Sequence, residues 1–388
     1  MNGTATEHVY SALDDRLAAR LVEQAGLADI HEKVETGQRL SFDDGVRLFE
    51  TPMLSAVGWL AHRVRTRRHG RKAYFNNNLH INYTNICLYS CKFCAFAAKE
   101  GEARGYLMRG PDIEKKLREY DDLAPTEVHM VAGIHPSMPY EYYLEVVRAA
   151  KRARPDIHVK AFTMVEIDHM LKVSGKTEDE VFADLREAGL GSCPGGGAEV
   201  LVDRVHKAVF REKIGPDAWL DTARKVQKHG FKMNATMLYG HIERPDERVT
   251  HLMRLRELQD ECGGFMAYIP LAFWPYHTDL EHYGHVTSGW MDLRNIAVGR
   301  LMLDNFPNVK AYWIMLTPES AQTALSFGAN DIDGTVTEEK ITHDAGTTAP
   351  ERMNRSELIR LIREAGFTPV QRTTTYEELE VLEGSGAG

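Results

Sequence analysis

The chain has 388 residues, long enough for one large α/β barrel or two ordinary domains, and its 43% hydrophobic and 27% charged content is that of a globular protein. Its 47 basic against 56 acidic residues leave a net charge of −9, which argues against nucleic-acid binding as its main business. No stretch approaches the ~18 consecutive apolar residues of a membrane span, and Met1 to Arg16 lacks the basic and apolar regions of a secretory signal, so a cytoplasmic protein is expected.

In chain order, residues 8 to 68 read as helical. Ser41, with Asp44 three positions on, caps a short helix, and Leu54 to Val64 forms another with Trp59, Leu60 and Val64 on one face. The basic run Arg63 to Lys72 reads as a solvated helix end. From Leu79 onward, short apolar strands alternate with longer helices, the pattern of a parallel α/β fold. The strands are expected at Leu79–Thr84, Glu127–Val131, His158–Phe162, Gly191–Cys193, Lys232–Leu238, Met266–Leu271, Val309–Ile314 and Asp331–Asp333. Eight such units suggest a closed barrel. Gly189 and Gly230 stop two of the helices, and Pro216 and Pro245 start two. After Pro350, a helix capped by Asn354 and a strand at Thr368–Arg372 form an appendix, and Gly384 to Gly388 reads as a disordered tail. The division expected is a helical extension over 1–75, a barrel over 76–345 and the appendix over 346–388.

The densest chemistry lies directly after the first barrel strand, where Cys87, Cys91 and Cys94 fall within eight residues as C-x3-C-x2-C. A structural zinc site closes with four ligands, and no second cysteine pair is present to complete one. An iron–sulfur cluster held by three thiolates leaves one iron open to an exogenous ligand, as catalysis at a metal requires. A zinc knuckle or inert thiols is the competing reading. Cys193 and Cys262 stand alone and read as small buried hydrophobes.

In barrels of this kind, catalytic groups sit at the C-terminal ends of the strands. Those ends carry Thr84-Asn85, Ala132-Gly133-Ile134-His135, Thr163 with Glu166, Gly195-Gly196-Gly197-Ala198-Glu199, and Tyr239-Gly240-His241-Ile242-Glu243. Three glycines in a row let backbone N–H groups approach a ligand closely, without the spacing of a dinucleotide fingerprint. His241, inside a ligand-like loop, has the best claim among the histidines to proton transfer or anion binding.

The cysteine spacing, with Phe93 before the last cysteine, resembles the signature of the radical S-adenosylmethionine (SAM) enzymes. Taken with Pro194 to Glu199, Asn234 to Glu243, Ile269 to Phe273, Lys310 to Trp313 and Asp333 to His343, the chain resembles the radical SAM enzymes of the futalosine route to menaquinone and their deazaflavin relatives, over residues 35 to 375. The resemblance implies a radical SAM (β/α)8 TIM-type barrel and a [4Fe–4S] cluster on Cys87, Cys91 and Cys94. It implies SAM contacts from Phe93, Ala132, Gly133, Thr163, Glu166, Gly195, Gly196, Gly197, Glu199, Tyr239 and Gly240, with His241 and Glu243 catalytic. The matches over strands six to eight imply the branch that adds a 5′-deoxyadenosyl radical to 3-[(1-carboxyvinyl)oxy]benzoate, a C–C bond-forming transfer with flavodoxin or ferredoxin as electron donor. The alternative is the sister branch, which builds the spiro ring on dehypoxanthine futalosine, or a related radical SAM enzyme of the deazaflavin pathway. For the substrate carboxylates the candidates are His241, Arg294, Lys310 and the backbone of Gly195–Gly197.

Overall fold

The protein is described by a computed structural model over residues 15–283 and 285–383. The first residues of the expected helical extension and the glycine-rich tail lie outside the described residues. Among the described residues eleven strands are formed: β1 (Lys72–Asn76), β2 (Asn78–Ile81), β3 (Glu127–Met130), β4 (His158–Ala161), β5 (Leu190–Cys193), β6 (Lys232–Tyr239), β7 (Phe265–Ala272), β8 (Asn308–Val309), β9 (Asp331–Gly334), β10 (Thr368–Arg372) and β11 (Glu378–Val381). Strands β2 to β8 pair in chain order, all parallel, with helices in the connections, so the sheet is an α/β half-barrel built by successive crossovers. The helix Tyr140–Ala153 shows why these connections dock: Tyr140, Tyr143, Leu144, Val147 and Ala150 repeat at helical spacing and are all buried.

Strand β9, the expected eighth barrel strand, belongs to a second sheet ordered β11-β10-β1-β9. It spans the gap between the edges of the half-barrel through single bridges, Lys310 to Asp331 beside β8 and Thr337 to Leu79 of β2. The expected strand at 309–314 stops early for a related reason. The Lys310 N–H bonds the Tyr268 carbonyl of β7, the Ala311 N–H turns to the Asp331 carbonyl, and Trp313–Leu316 is helical. The chain thus changes partners in mid-strand.

Strand β1 occupies what reads in sequence as the end of a solvated basic run. It pairs in parallel with both β9 and β10, so the second sheet draws strands from near both ends of the described chain. The basic run is solvated only in part, with Arg67, Arg68 and Arg71 exposed. Arg65 is fully buried over the Phe367 ring, donating to the carbonyls of Ala329, Gly70 and Lys72, and Arg68 reaches those of Phe306 and Asp304. These arginines fasten the helix Leu54–His69 to the barrel. The capping expected at Ser41 and Asn354 is present: each side chain accepts an N–H three residues on, and each carries a reciprocal carboxylate.

The barrel interior is charged. Lys160 pairs with Glu127, Lys310 lies 3.4 Å from Asp333, and Arg372 Nε lies 2.5 Å from Asp331, all six side chains being buried. Breaking such a pair strands a desolvated charge. Arg372→Ala leaves Asp331 of β9 without its partner from β10, reached across the intervening β1, and it is expected to destabilise the protein by about 3–5 kcal/mol, read as a fall in the thermal unfolding midpoint.

Candidate active site

The cysteine loop is held from three sides. The Cys87 N–H bonds Ala98 O and the Leu88 N–H bonds Ile134 O at 2.7 Å, while the Lys92 N–H bonds Val209 O and the Ser90 N–H bonds Glu212. The Lys99 ammonium gathers the carbonyls of Cys87, Leu88 and Tyr89 within 3.2 Å. Gly133 is where the end of β3 meets this loop: an added Cβ would sit 2.5 Å from Ile86 O and 3.0 Å from Cys87 Cβ. Beside it, the Ile134 N–H points at Cys87 Sγ at 3.4 Å. Glycine is needed there for close approach of two backbones.

The three thiols are half-buried. Burial pushes the Cys91 thiol up to about 12 and raises Cys94 as well. Bare, Cys91 and Cys94 favour the protonated form, and thiolates need positive charge nearby. Iron would supply it, and Lys213, which the sequence reading does not single out, adds to it. Its ammonium pairs with Glu199 and lies about 5 Å from the ring centroids of Phe93 and Phe210. Burial works against that ammonium, but Glu199 and Cys91 outweigh it, so it remains charged. No three His, Cys, Asp or Glu side chains among the described residues converge on a single ion. Three thiols on one loop, each serving a different iron, fit a cluster.

Next to the loop a cavity of about 260 Å³ runs into the barrel. Phe93, Cys94, Thr163, Gly196, Gly197 and Glu199 line it, and Val131, Leu238, Ile269, Leu271, Phe273 and Trp274 give it apolar walls. Its far side carries His80, His129, Tyr312 and Asp333, which sequence reasoning does not pick out as site residues. Gly195 stands behind this lining. At φ 78° its Cβ would collide with the Asn234 carbonyl of β6, so glycine lets the triple-glycine loop lie flat on the sheet.

Several expected contacts are not where the sequence reading puts them. His241 is buried: Nε2 donates to Leu238 O at 3.1 Å, Nδ1 accepts from the Ile242 N–H, and burial lowers its pKa despite Glu243. Glu243 accepts from the N–H groups of Gly240 and His241 and from Arg248. Both side chains bond within their own loop, and neither lines this cavity. Tyr239 donates to Asp292 at 2.8 Å, and Gly240 packs on Thr287, both on the outer side of β6. Arg294 donates to the carbonyls of Phe49 and Thr51, anchoring the helix Phe42–Glu50, and Lys310 is held by Asp333. Ala132 is partly buried and outside the cavity lining.

Glu166 is fully buried behind the cavity. It accepts from Tyr83 of the first strand end and from the Thr163 N–H of the third, and so ties two of the strand ends around the site. It touches the cavity only through Thr163.

Thiols on the loop that leaves the first barrel strand, opening on a cavity down the barrel, are the layout of a radical SAM enzyme. Residues 81–255 match the radical SAM superfamily and residues 262–384 the CofH/MqnC C-terminal region. The chain is 45% identical to the aminodeoxyfutalosine synthase of Thermus thermophilus, over 93% of this chain and 98% of that one. It is 36% identical to the cyclic dehypoxanthine futalosine synthase of Halalkalibacterium halodurans, over 92% and 96%. The structure of methylornithine synthase (PylB) superposes with a TM-score of 0.69 at 18% identity, over 87% of this chain and 96% of that one, and shows the same fold. The chain belongs to the radical SAM superfamily, in the branch that carries the CofH/MqnC C-terminal region. Its cofactors are a [4Fe–4S] cluster and SAM. No described helix is long and apolar enough to cross a membrane.

Two expectations follow. Gly133→Ala forces β3 off the cysteine loop, and iron and sulfide bound per chain after anaerobic reconstitution fall severalfold while the secondary structure survives. The second concerns Glu166, whose carboxyl burial pushes up from 4.5 to about 7, against the donors of Tyr83 and Thr163. Between those pH values the native state holds a proton that the unfolded state has lost, so stability falls as pH rises through the window. Relative to Glu166→Gln, which does not titrate, the wild type loses on the order of 3 kcal/mol across it, measured by urea unfolding at several pH values.

Proposed function

We propose that the protein is an aminodeoxyfutalosine synthase, joining the 5′-deoxyadenosyl group of SAM to 3-[(1-carboxyvinyl)oxy]benzoate with loss of carbon dioxide to give 6-amino-6-deoxyfutalosine, a step toward menaquinone. The observation that carries this reading is the 45% identity to a synthase over nearly the whole of both chains, against 36% to the cyclic dehypoxanthine enzyme. With cluster and SAM in place and one electron delivered by flavodoxin or ferredoxin, SAM cleavage supplies the 5′-deoxyadenosyl radical.

What the chain's own residues do follows from their positions. Cys87, Cys91 and Cys94 would hold the cluster and Lys213 would offset its negative charge. Phe93, Thr163, Gly196, Gly197 and Glu199, on the cysteine side of the cavity, would hold SAM. A carbon radical must be kept from water and from stray hydrogen donors. Leu238, Ile269, Leu271 and Phe273 provide such a wall and suit an aryl ring. Ordering the substrate against this wall brings its enol ether to the cysteine end, where the adenosyl carbon arises.

Anaerobically reconstituted enzyme, given SAM, a reductant and the enol ether, is expected to yield the adenosyl adduct less carbon dioxide, identified by mass. Release of free 5′-deoxyadenosine with no adduct would overturn the reading, and turnover of dehypoxanthine futalosine would replace it with the cyclase.

A further inference from the structure

The side of the cavity remote from the cysteines has a composition that neither cluster nor SAM accounts for. His80 of β2 and His129 of β3 are register partners, and their rings stack with centroids 4.4 Å apart at 20°. The Tyr312 ring lies parallel to that of His80, at 8° and 6.4 Å. All three line the cavity. His80 Nε2 is buried with no hydrogen-bond partner, and a buried polar atom left unpaired is destabilising. An orphan of that kind in a cavity wall marks a place where a ligand completes the bonding.

The other polar groups on this side are already engaged. Asp333 is held by Lys310 and by the Asn78 amide at 3.3 Å, and Glu339 by the Thr342 N–H and His343. Asn82 donates to Val131 O and accepts from the Lys340 N–H. Of these groups His80 Nε2 is the one left with free bonding capacity. Lys160, the cross-strand neighbour of His129, and Lys310 are both paired, with Glu127 and Asp333, and Glu339 stands on the same side, so what this face offers a ligand is an imidazole hydrogen bond and not a net positive charge. Asp333 itself, at φ 69°, holds a backbone conformation unusual for a residue with a side chain.

We infer that the stacked His80–His129 pair is the seat of an aryl carboxylate, receiving the benzoate end of a flat substrate whose ring lies against Ile269, Leu271 and Phe273 and whose other end reaches toward the cysteine loop. The choice of a benzoate rests on the reaction proposed above, whereas the choice of a hydrogen-bonding group at this place rests on the unpartnered imidazole nitrogen. The pair acts in binding and orientation, with no proton transfer assigned to it.

The test uses reconstituted holoenzyme with SAM and two unreactive probes, 3-(carboxymethoxy)benzoate and its ring carboxamide, 3-(carboxymethoxy)benzamide, titrated by calorimetry. Wild type is expected to prefer the benzoate by at least about ten-fold. His80→Phe and His129→Phe, which keep the stack and remove the nitrogens, are expected to erase that preference and raise KM for the enol ether more than they lower kcat. His80→Gln and His129→Asn, which restore an N–H, recover part of it. Thermal midpoint and iron content report whether each variant is folded. Equal affinity of wild type for the two probes overturns the inference without any variant, and so does unchanged preference in both folded Phe variants. If wild type makes no adduct yet shows the histidine-dependent preference, the proposed reaction falls and the carboxylate seat stands. Adduct formation with KM unchanged in the Phe variants gives the converse.

Discussion

Three ion pairs inside the barrel set the terms for the rest of the structure. Glu127–Lys160, Asp333–Lys310 and Asp331–Arg372 place six charges where an isolated one would be heavily penalised. Each pair joins different strands: β3 to β4, the end of β8 to β9, and β9 to β10. A shift of register in any of these would part charges that water cannot reach. The half-barrel, the second sheet and the appendix are therefore coupled by electrostatics as well as by hydrophobic burial. The cavity inherits a polar floor because it ends where these pairs begin.

The sides of that cavity divide the chemistry. One side offers thiols, glycine backbone and a buried ammonium, suited to a cluster and a charged nucleoside. Another is hydrocarbon, and the remote side is imidazole. The cysteine loop and the imidazole face contribute different residues to one lining. Relatives named for different activities match most of this chain, so the same fold serves more than one reaction.

Much of this was legible in the residues. The cysteine spacing, the glycine run and the alternation of strand and helix are local patterns, and each marks a feature of the structure. What could not be read depends on side-chain direction and on distant partners. His80 and His129 lie within strands, where the period-two alternation makes them resemble ordinary polar faces, and nothing local says that the face turns inward to a cavity. His241 sits in a loop that looks like a ligand site, but its imidazole folds back onto Leu238 O, which a linear pattern does not disclose. Lys213 gains its meaning from Glu199 and Cys91. Strand β1 was hidden because its partners come from near the other end of the chain, and Arg65 because the carbonyls it serves belong to three separate segments.

The parallel pairing of β1 with β10 also bears on the order of synthesis. Lys72 lies opposite Thr368, so a chain emerging from the ribosome exposes β1 as an open edge until Thr368–Arg372 has been made, about three hundred residues later. The cysteine loop is translated soon after β1, and its thiols wait in a chain whose second sheet is incomplete. Contacts of such long sequence separation form slowly. For the cell, the interval between the first cysteine and the last strand is when oxidation or aggregation competes with folding, and loading of iron before that interval ends would meet an unfinished barrel.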